Sequence, residues 1–405
     1  MNTLERLMAQ VGCTRYPKRW EQLFTAAMER YDREGCVVSE KAFLDGLEDR
    51  YGCFEKYGHI YRAAAAQVRQ DEALGRFLTL LSTALADTTH KQEDLRLFTR
   101  PSAPVGKDPL GYEMITGLAL CSQLDTAAAH LRSLGLPESV VKQNITLAVN
   151  SVDTYIRRHK GQPGFDLLDW AQLYLEGKLF WIDRLEIELF GGFEGYAAVF
   201  QNAAGTCVAL AQGITLHKSG YALGAVHYGD PEGSWTADIT PTNDGWEGYP
   251  YLKNGAVSPE KCFLSRKEWK MVAQQGRPVI RLHIPPAGPL TPEAVDRTLY
   301  HVQQFLKKWF PDYPRDVYTC ASWLMDPKLE ELFPGSNICA FGCRFERLTI
   351  PNDGNGVFNF VFHQPDMNFS IKELPENTRL EKTIKNLYLR GKAIYAMVGF
   401  FVSKE

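Results

Sequence analysis

The chain has 405 residues, 45% hydrophobic, 12% aromatic and 23% charged, enough for two or three domains with cores of their own. A net charge of −3 and an isoelectric point near 6.3 give none of the basic footprint that nucleic acid or an anionic membrane surface demands. "MNTLERLMAQ" carries Glu5 and Arg6 where a signal peptide needs an unbroken apolar stretch, and no run nears the roughly 20 apolar residues of a membrane span.

The first 160 residues read as helix. Val141, Ile145, Val149, Val152 and Ile156 recur at helical spacing, and "YRAAAAQVRQDEALGRFLTLLSTAL" is a second case. A loop is expected at 99–109, and the Gly and Pro breakers of "HKGQPGFD" (159–166) end the region. They place the domain boundary at 162/163, with helix "LLDWAQLYLEG" opening the second domain. Period-two alternation then begins. "KLFWIDRLEIELF" sets Leu185, Ile187 and Leu189 on one face, with Arg184, Glu186 and Glu188 on the other. "YAAVFQN", "TCVALAQGITLH" and "SWTADIT" continue as strands, and 241–262 reads as a long irregular connection.

From residue 279 strands and helices alternate. The pattern predicts strand 279–284, helix 292–310, strand 317–324, a short helix "DPKLEELF" and strands 337–348 and 356–363. Helix 376–391 and a last strand, "AIYAMVGFFV", follow. The expected fold is therefore of the α+β or α/β class: an all-helical domain over 1–162, then a mixed sheet with flanking helices over 163–405.

Nine scattered cysteines without a CxxC pair argue against a disulfide framework or a zinc knuckle. Cys339 and Cys343, on the expected strand, would lie about 13 Å apart, too far for a bridge. HExxH, paired His/Cys spacings and DxDxD runs are absent, so no metal is expected; neither a Walker loop nor GxGxxG occurs. The composition points to a reduced, cytoplasmic protein.

Four places are candidates for chemistry. "VIRLHIPPAGPLTPEAVDRTL" (279–299) joins a strand to a helix through a corner where the N–H groups of Ala287, Gly288, Leu290 and Thr291 could meet an anion. The same corner reads equally as a capped helix start, with Thr291 as N-cap and Pro292 at N1, and its four prolines have no N–H to give. Glu188, on the charged face of its strand, is a general-base candidate, or else a solvated residue. His283 ends strand 279–284, where sheets of this class place ligands. Cys320 and Ser322 share one strand face, as a proton source for a leaving group or as core. A rival is Cys207 with His227 and Asp238, a thiol nucleophile with an oriented imidazole, although its strand setting lacks the helix N-terminus that activates a thiol.

"DWAQLYLEGKLFWIDRLEIELF", "LHIPPAGPLTPEAVD", "SWLMDPKLEELFPGSNICAFGCRF" and "LPENTRLEKTIKNLYLRGKAIYAMVG", in this order, resemble a group of bacterial acyltransferase-domain proteins. These have a helical N-acyltransferase N-terminal domain and a C-terminal domain similar to the GNAT (N-acetyltransferase) fold. The resemblance spans about residues 165–405. It implies transfer from acetyl-CoA or another acyl-CoA to a small-molecule or peptide amine; the charge balance above leads to no expected nucleic-acid or membrane partner. It also implies that strand 279–284 splays from strand 317–324 and holds the thioester in the gap. The acyl carbonyl would then sit on a backbone N–H near Leu282 to Ile284, and the pyrophosphate at 285–291. Two departures stand out. The usual loop, (Q/R)xxGx(G/A), is replaced by "IPPAGPLTP", and the two helices that commonly cover the acceptor site are not visible between 191 and 240. A non-catalytic GNAT-like binding protein is the alternative.

Overall fold

A computed structural model of the chain describes residues 3–87, 89–364 and 368–403. It divides into two compact units between Leu179 and Phe180. Helix Leu168–Leu175, which the breakers at 159–166 assign to the second domain, belongs with the first. It packs on helices Ile115–Cys121, Leu124–Ser133 and Glu138–Val149. Within the first unit Asn144 Nδ2 donates to Tyr174 O (2.9 Å) and Leu179 O (3.1 Å).

The first unit is helical, as its periodicity predicts. Helix Glu72–Ala86 is apolar around most of its circumference and is therefore buried, as such helices must be. Asp71 caps it by accepting from Leu74 N–H at 3.1 Å. It packs on helices Trp20–Glu34 and Ile115–Cys121, and Phe77 meets the fully buried Trp20 ring edge-on. Val141, Ile145, Val149 and Val152 are all buried.

The second unit is built on a six-stranded mixed sheet: β1 (Leu179–Ile182), β2 (Leu185–Glu188), β3 (Ile280–His283), β4 (Val317–Ser322), β5 (Glu346–Thr349) and β6 (Met397–Val402). Their spatial order is β1-β2-β3-β4-β6-β5. β3 and β4 run parallel; β2 on β3, β6 on β4 and β5 on β6 are antiparallel. Helix Pro292–Trp309 makes the β3-to-β4 crossover and buries Val295, Val302 and Leu306.

Between β2 and β3 the chain forms smaller sheets and, among the described residues, no helix. Strand Ala197–Asn202 lies between Trp269–Gln274 and Cys207–Ala211. Phe193, Val199 and Ala273 from this segment share a core with Val279, Val317, Leu348, Val398 and Phe400 of the main sheet region. The stretch 241–262 is more regular than the sequence predicts: Thr240–Pro241, Gly245–Gly248 and Cys262–Ser265 form a three-stranded sheet.

Two expected strands are helices. Within 337–348, Asn337–Gly342 is helical, with Ser336 Oγ accepting from Cys339 N–H, and only Glu346–Thr349 is strand. Cys339 and Cys343 are therefore one turn apart with Sγ atoms at 3.9 Å, and the separation expected of a strand does not apply; both thiols are free. Gly356–Phe362 is also helical, burying Val357, Phe358, Val361 and Phe362 while Phe360 is 63% exposed. That spacing is a helix face. No helix among the described residues is long and apolar enough to cross a membrane, and no group of three or more His, Cys, Asp or Glu side chains among them could hold a metal ion.

Candidate active site

The antiparallel β2–β3 ladder places Glu188 opposite Arg281 and Glu186 opposite His283. Residues two apart on a strand share a face, so these four side chains project together. Glu188 accepts from Arg281 Nη1 at 3.0 Å and is bonded to His283 Nε2 at 2.8 Å. Arg281 also donates to Gly192 O (3.0 and 2.6 Å) and pairs with Glu194 at 3.0 Å. The alternation of this strand is compatible with a solvated charged face, but Glu186 and Glu188 are only 9% and 8% exposed. Burial pushes the Glu188 carboxyl up; the His283 hydrogen bond and the Arg281 charge outweigh it and hold the group below the usual carboxylate range.

The neighbouring strand pair is short. β3 and β4 are in register only at Ile280–Tyr318 and Arg281–Thr319, although β3 continues to His283 and β4 to Ser322. The ladder ends at those pairs, and His283 lies past its end on β3. Thr319, at the last paired position, is buried, and its hydroxyl has no hydrogen-bond partner among the described residues.

β4 supplies the other two named residues. Cys320 is 2% exposed and sits opposite Gly399; burial and then the Glu194 charge push its thiol up to about 12. Ser322 Oγ accepts from Leu324 N–H at 3.1 Å and caps the short turn Trp323–Met325. Leu282 is buried and Ile284 half-buried.

The corner after β3 is a capped helix start. Thr291 Oγ1 accepts from Ala294 N–H at 3.2 Å, and Pro292 occupies the first helical position. Gly288 is exposed with φ +56°, the left-handed conformation that glycine adopts without cost. Ala287 N–H is turned onto Pro285 O at 2.8 Å. Leu290 is buried. Arg184 does not point away from this corner as one member of a solvated face. It donates to Pro285 O (2.9 Å), Gly288 O (3.1 Å) and Pro289 O (3.3 Å).

The structure thus brings Glu188 and His283 together and puts Cys320 and Ser322 on the strand beside them. Sequence reasoning missed Arg281, although its place two residues before His283 puts it on the same face. It also missed the grip of Arg184 on the corner, which no local pattern encodes. The Cys207 arrangement does not form. The thiol starts strand Cys207–Ala211, its recorded partners are Gln201 and Gly205, and burial raises its pKa. Among the described residues neither His227 nor Asp238 is hydrogen-bonded to it.

Residues 179–401 match the model of a family described as the GNAT-like C-terminal domain. No curated protein matches the chain. Among solved structures, an acyltransferase in complex with decanoyl-CoA and teicoplanin is similar with a TM-score of 0.57 and 19% identity, covering 88% of this chain and 87% of that one. A mutant acyltransferase in complex with octanoyl-CoA is similar with a TM-score of 0.59 and 19% identity, over 99% of both chains. At that identity the likeness is one of fold.

Proposed function

This chain belongs to the family with a GNAT-like C-terminal domain, and from that premise we propose that it transfers an acyl group from an acyl-CoA to an amine. The observation that carries this reading is the two-residue β3–β4 ladder. The gap beyond it receives the thioester, with the carbonyl oxygen on a backbone N–H in the stretch Leu282 to Ile284. The pyrophosphate lies at the corner, against the N–H groups of Gly288, Leu290 and Thr291; Ala287 serves only if its bond to Pro285 O opens.

Glu188 and His283 act as a unit. The carboxylate orients the imidazole through Nε2, and the imidazole takes the proton of the attacking amine. The amine nitrogen bonds to the thioester carbon, the C–S bond breaks, and the CoA thiolate takes up a proton. Ser322 supplies it better than Cys320: its oxygen is held by Leu324 N–H while its own O–H is left to donate, whereas the Cys320 thiol is enclosed in the sheet. The structural neighbours carry octanoyl and decanoyl chains, which supports a medium-chain donor over acetyl-CoA. The neighbour in complex with teicoplanin supports a small-molecule or peptide amine as acceptor.

The test follows thiol release from acetyl-, octanoyl- and decanoyl-CoA in the presence of amine acceptors, with the acylated amine detected by mass. The proline-rich, donor-poor corner favours one second reading, a GNAT-like protein that binds its ligand without turning it over. Binding without thiol release across the series selects it.

A further inference from the structure

Arg184 is held by carbonyls. Its Nη1, Nη2 and Nε donate to Pro285 O, Gly288 O and Pro289 O, all on the corner that follows β3. A trans peptide plane carries its C=O and N–H on opposite sides. The three carbonyls that face Arg184 belong to the planes between Pro285 and Pro286, Gly288 and Pro289, and Pro289 and Leu290. Two of those planes end in Pro286 and Pro289 and have no N–H; the third presents the N–H of Leu290. The corner is therefore poor in backbone donors, and the carbonyls of these planes serve Arg184.

The charge of Arg184 is also uncompensated. Arg344 grips the same corner through Pro292 O but is neutralised by Asp296 at 2.6 Å, and Arg281 is neutralised by Glu188 and Glu194. Among the described residues no carboxylate pairs with Arg184. Three bonds to carbonyls leave two of the five guanidinium N–H groups for another acceptor. Burial lowers the pKa of this guanidinium, as it must for a cation lacking a counter-ion, yet leaves it charged at any working pH.

We propose that Arg184 is the cation that receives the pyrophosphate of the acyl donor, adding its charge to the few backbone N–H groups that this corner offers. The identity of the ligand rests on the acyl-CoA reading; the anion site itself does not. A bidentate guanidinium–phosphate contact is the stronger kind of charge-assisted hydrogen bond and suits a group with two donors to offer.

The experiment is calorimetric titration of the intact chain with three probes: inorganic pyrophosphate, octanoyl-CoA and S-octanoyl-pantetheine, which lacks the pyrophosphate. Arg184→Gln is expected to weaken the first two by roughly tenfold or more and to leave the third within about twofold. Arg184→Lys keeps the charge and retains the preference for octanoyl-CoA over the pantetheine thioester; this variant decides the matter if Arg184→Gln does not fold. Pyrophosphate binding that depends on Arg184, without acyl-CoA turnover, leaves the anion site standing and removes the acyltransferase reading. Normal octanoyl-CoA affinity in Arg184→Gln, equal loss on all three probes, or no pyrophosphate binding by the wild type overturns the proposal.

Discussion

Glu188 and His283 are joined by a 2.8 Å hydrogen bond that runs diagonally across the β2–β3 ladder, at the end of β3 where its pairing with β4 stops. A buried carboxylate held below its ordinary range meets a partly exposed imidazole there, with Arg281 on the other carboxylate oxygen. This pair is the chemical centre of the account.

Glu188→Gln is expected to lower turnover roughly a hundredfold while the Kd for acyl-CoA is unchanged, as the loss of a base or its support does. His283→Gln should do the same, and the double variant should be no worse than the poorer single, because groups that act as a unit are not additive. Steady-state rates beside calorimetric Kd values decide it. Unchanged turnover in Glu188→Gln returns the residue to a structural role.

The same carboxyl has a consequence for acid stability. Its pKa is lowered on folding, so its contribution is present above the unfolded value of about 4.3 and is lost as pH falls through the lower folded value. Glu188→Gln should therefore flatten the loss of stability below about pH 4.3. Denaturant melts followed by circular dichroism across that window check the sign, and parallel curves for the two proteins contradict it.

At the corner, Gly288 and Thr291 separate ligand binding from capping. A Cβ at 288 meets nothing within 4 Å, so Gly288→Asn, which tolerates φ +56° better than most residues, should fold and bind CoA. Gly288→Asp brings a negative charge to the phosphate and should abolish CoA binding. Thr291→Ala removes the cap on Ala294 N–H, lowering stability by about 1 kcal/mol with CoA affinity intact. Equal CoA binding by Gly288→Asp and Gly288→Asn would make the corner structural.

Three thiol and hydroxyl variants sort the residues of β4 and the rival site. Cys207→Ala and Cys320→Ala should leave turnover unchanged, since one thiol lacks an activating partner and the other is enclosed. Ser322→Ala should slow release of the thiolate. The same loss in Cys320→Ala would reverse the assignment.

The β4–β6 contact offers a check on packing alone. A Cβ at Gly399 would lie 2.4 Å from Met325 Sδ and 2.9 Å from Phe345 Cβ. Gly399→Ala should cost about 1–3 kcal/mol through overpacking, read as a lowered Tm. A melting temperature equal to wild type means that the Met325 side chain gives way freely.

Much of the frame was legible because it follows period rules. The apolar stripe of Pro292–Trp309 and the alternation of β2 are read directly, and His283 falls at the strand end its neighbours predict. The helices Asn337–Gly342 and Gly356–Phe362 were not legible. Each is short and rich in aromatic or β-branched residues, where one or two turns cannot be told from a buried strand by periodicity. For Glu186 and Glu188 the choice between a cleft and a solvated face stays open in the sequence for a related reason. Alternation announces two faces of a strand but not whether water or a second sheet covers the polar one, and here the residues between β2 and β3 supply Gly192 and Glu194. The contacts of Arg184 span more than a hundred residues in sequence, so only the folded chain shows them.

The most direct test of the central claim is calorimetric titration of the intact chain with octanoyl-CoA. The account predicts one ligand per chain, displaced by free CoA, with heat retained in Glu188→Gln. No binding up to about 1 mM, the upper end of ordinary enzyme–substrate affinity, would contradict it.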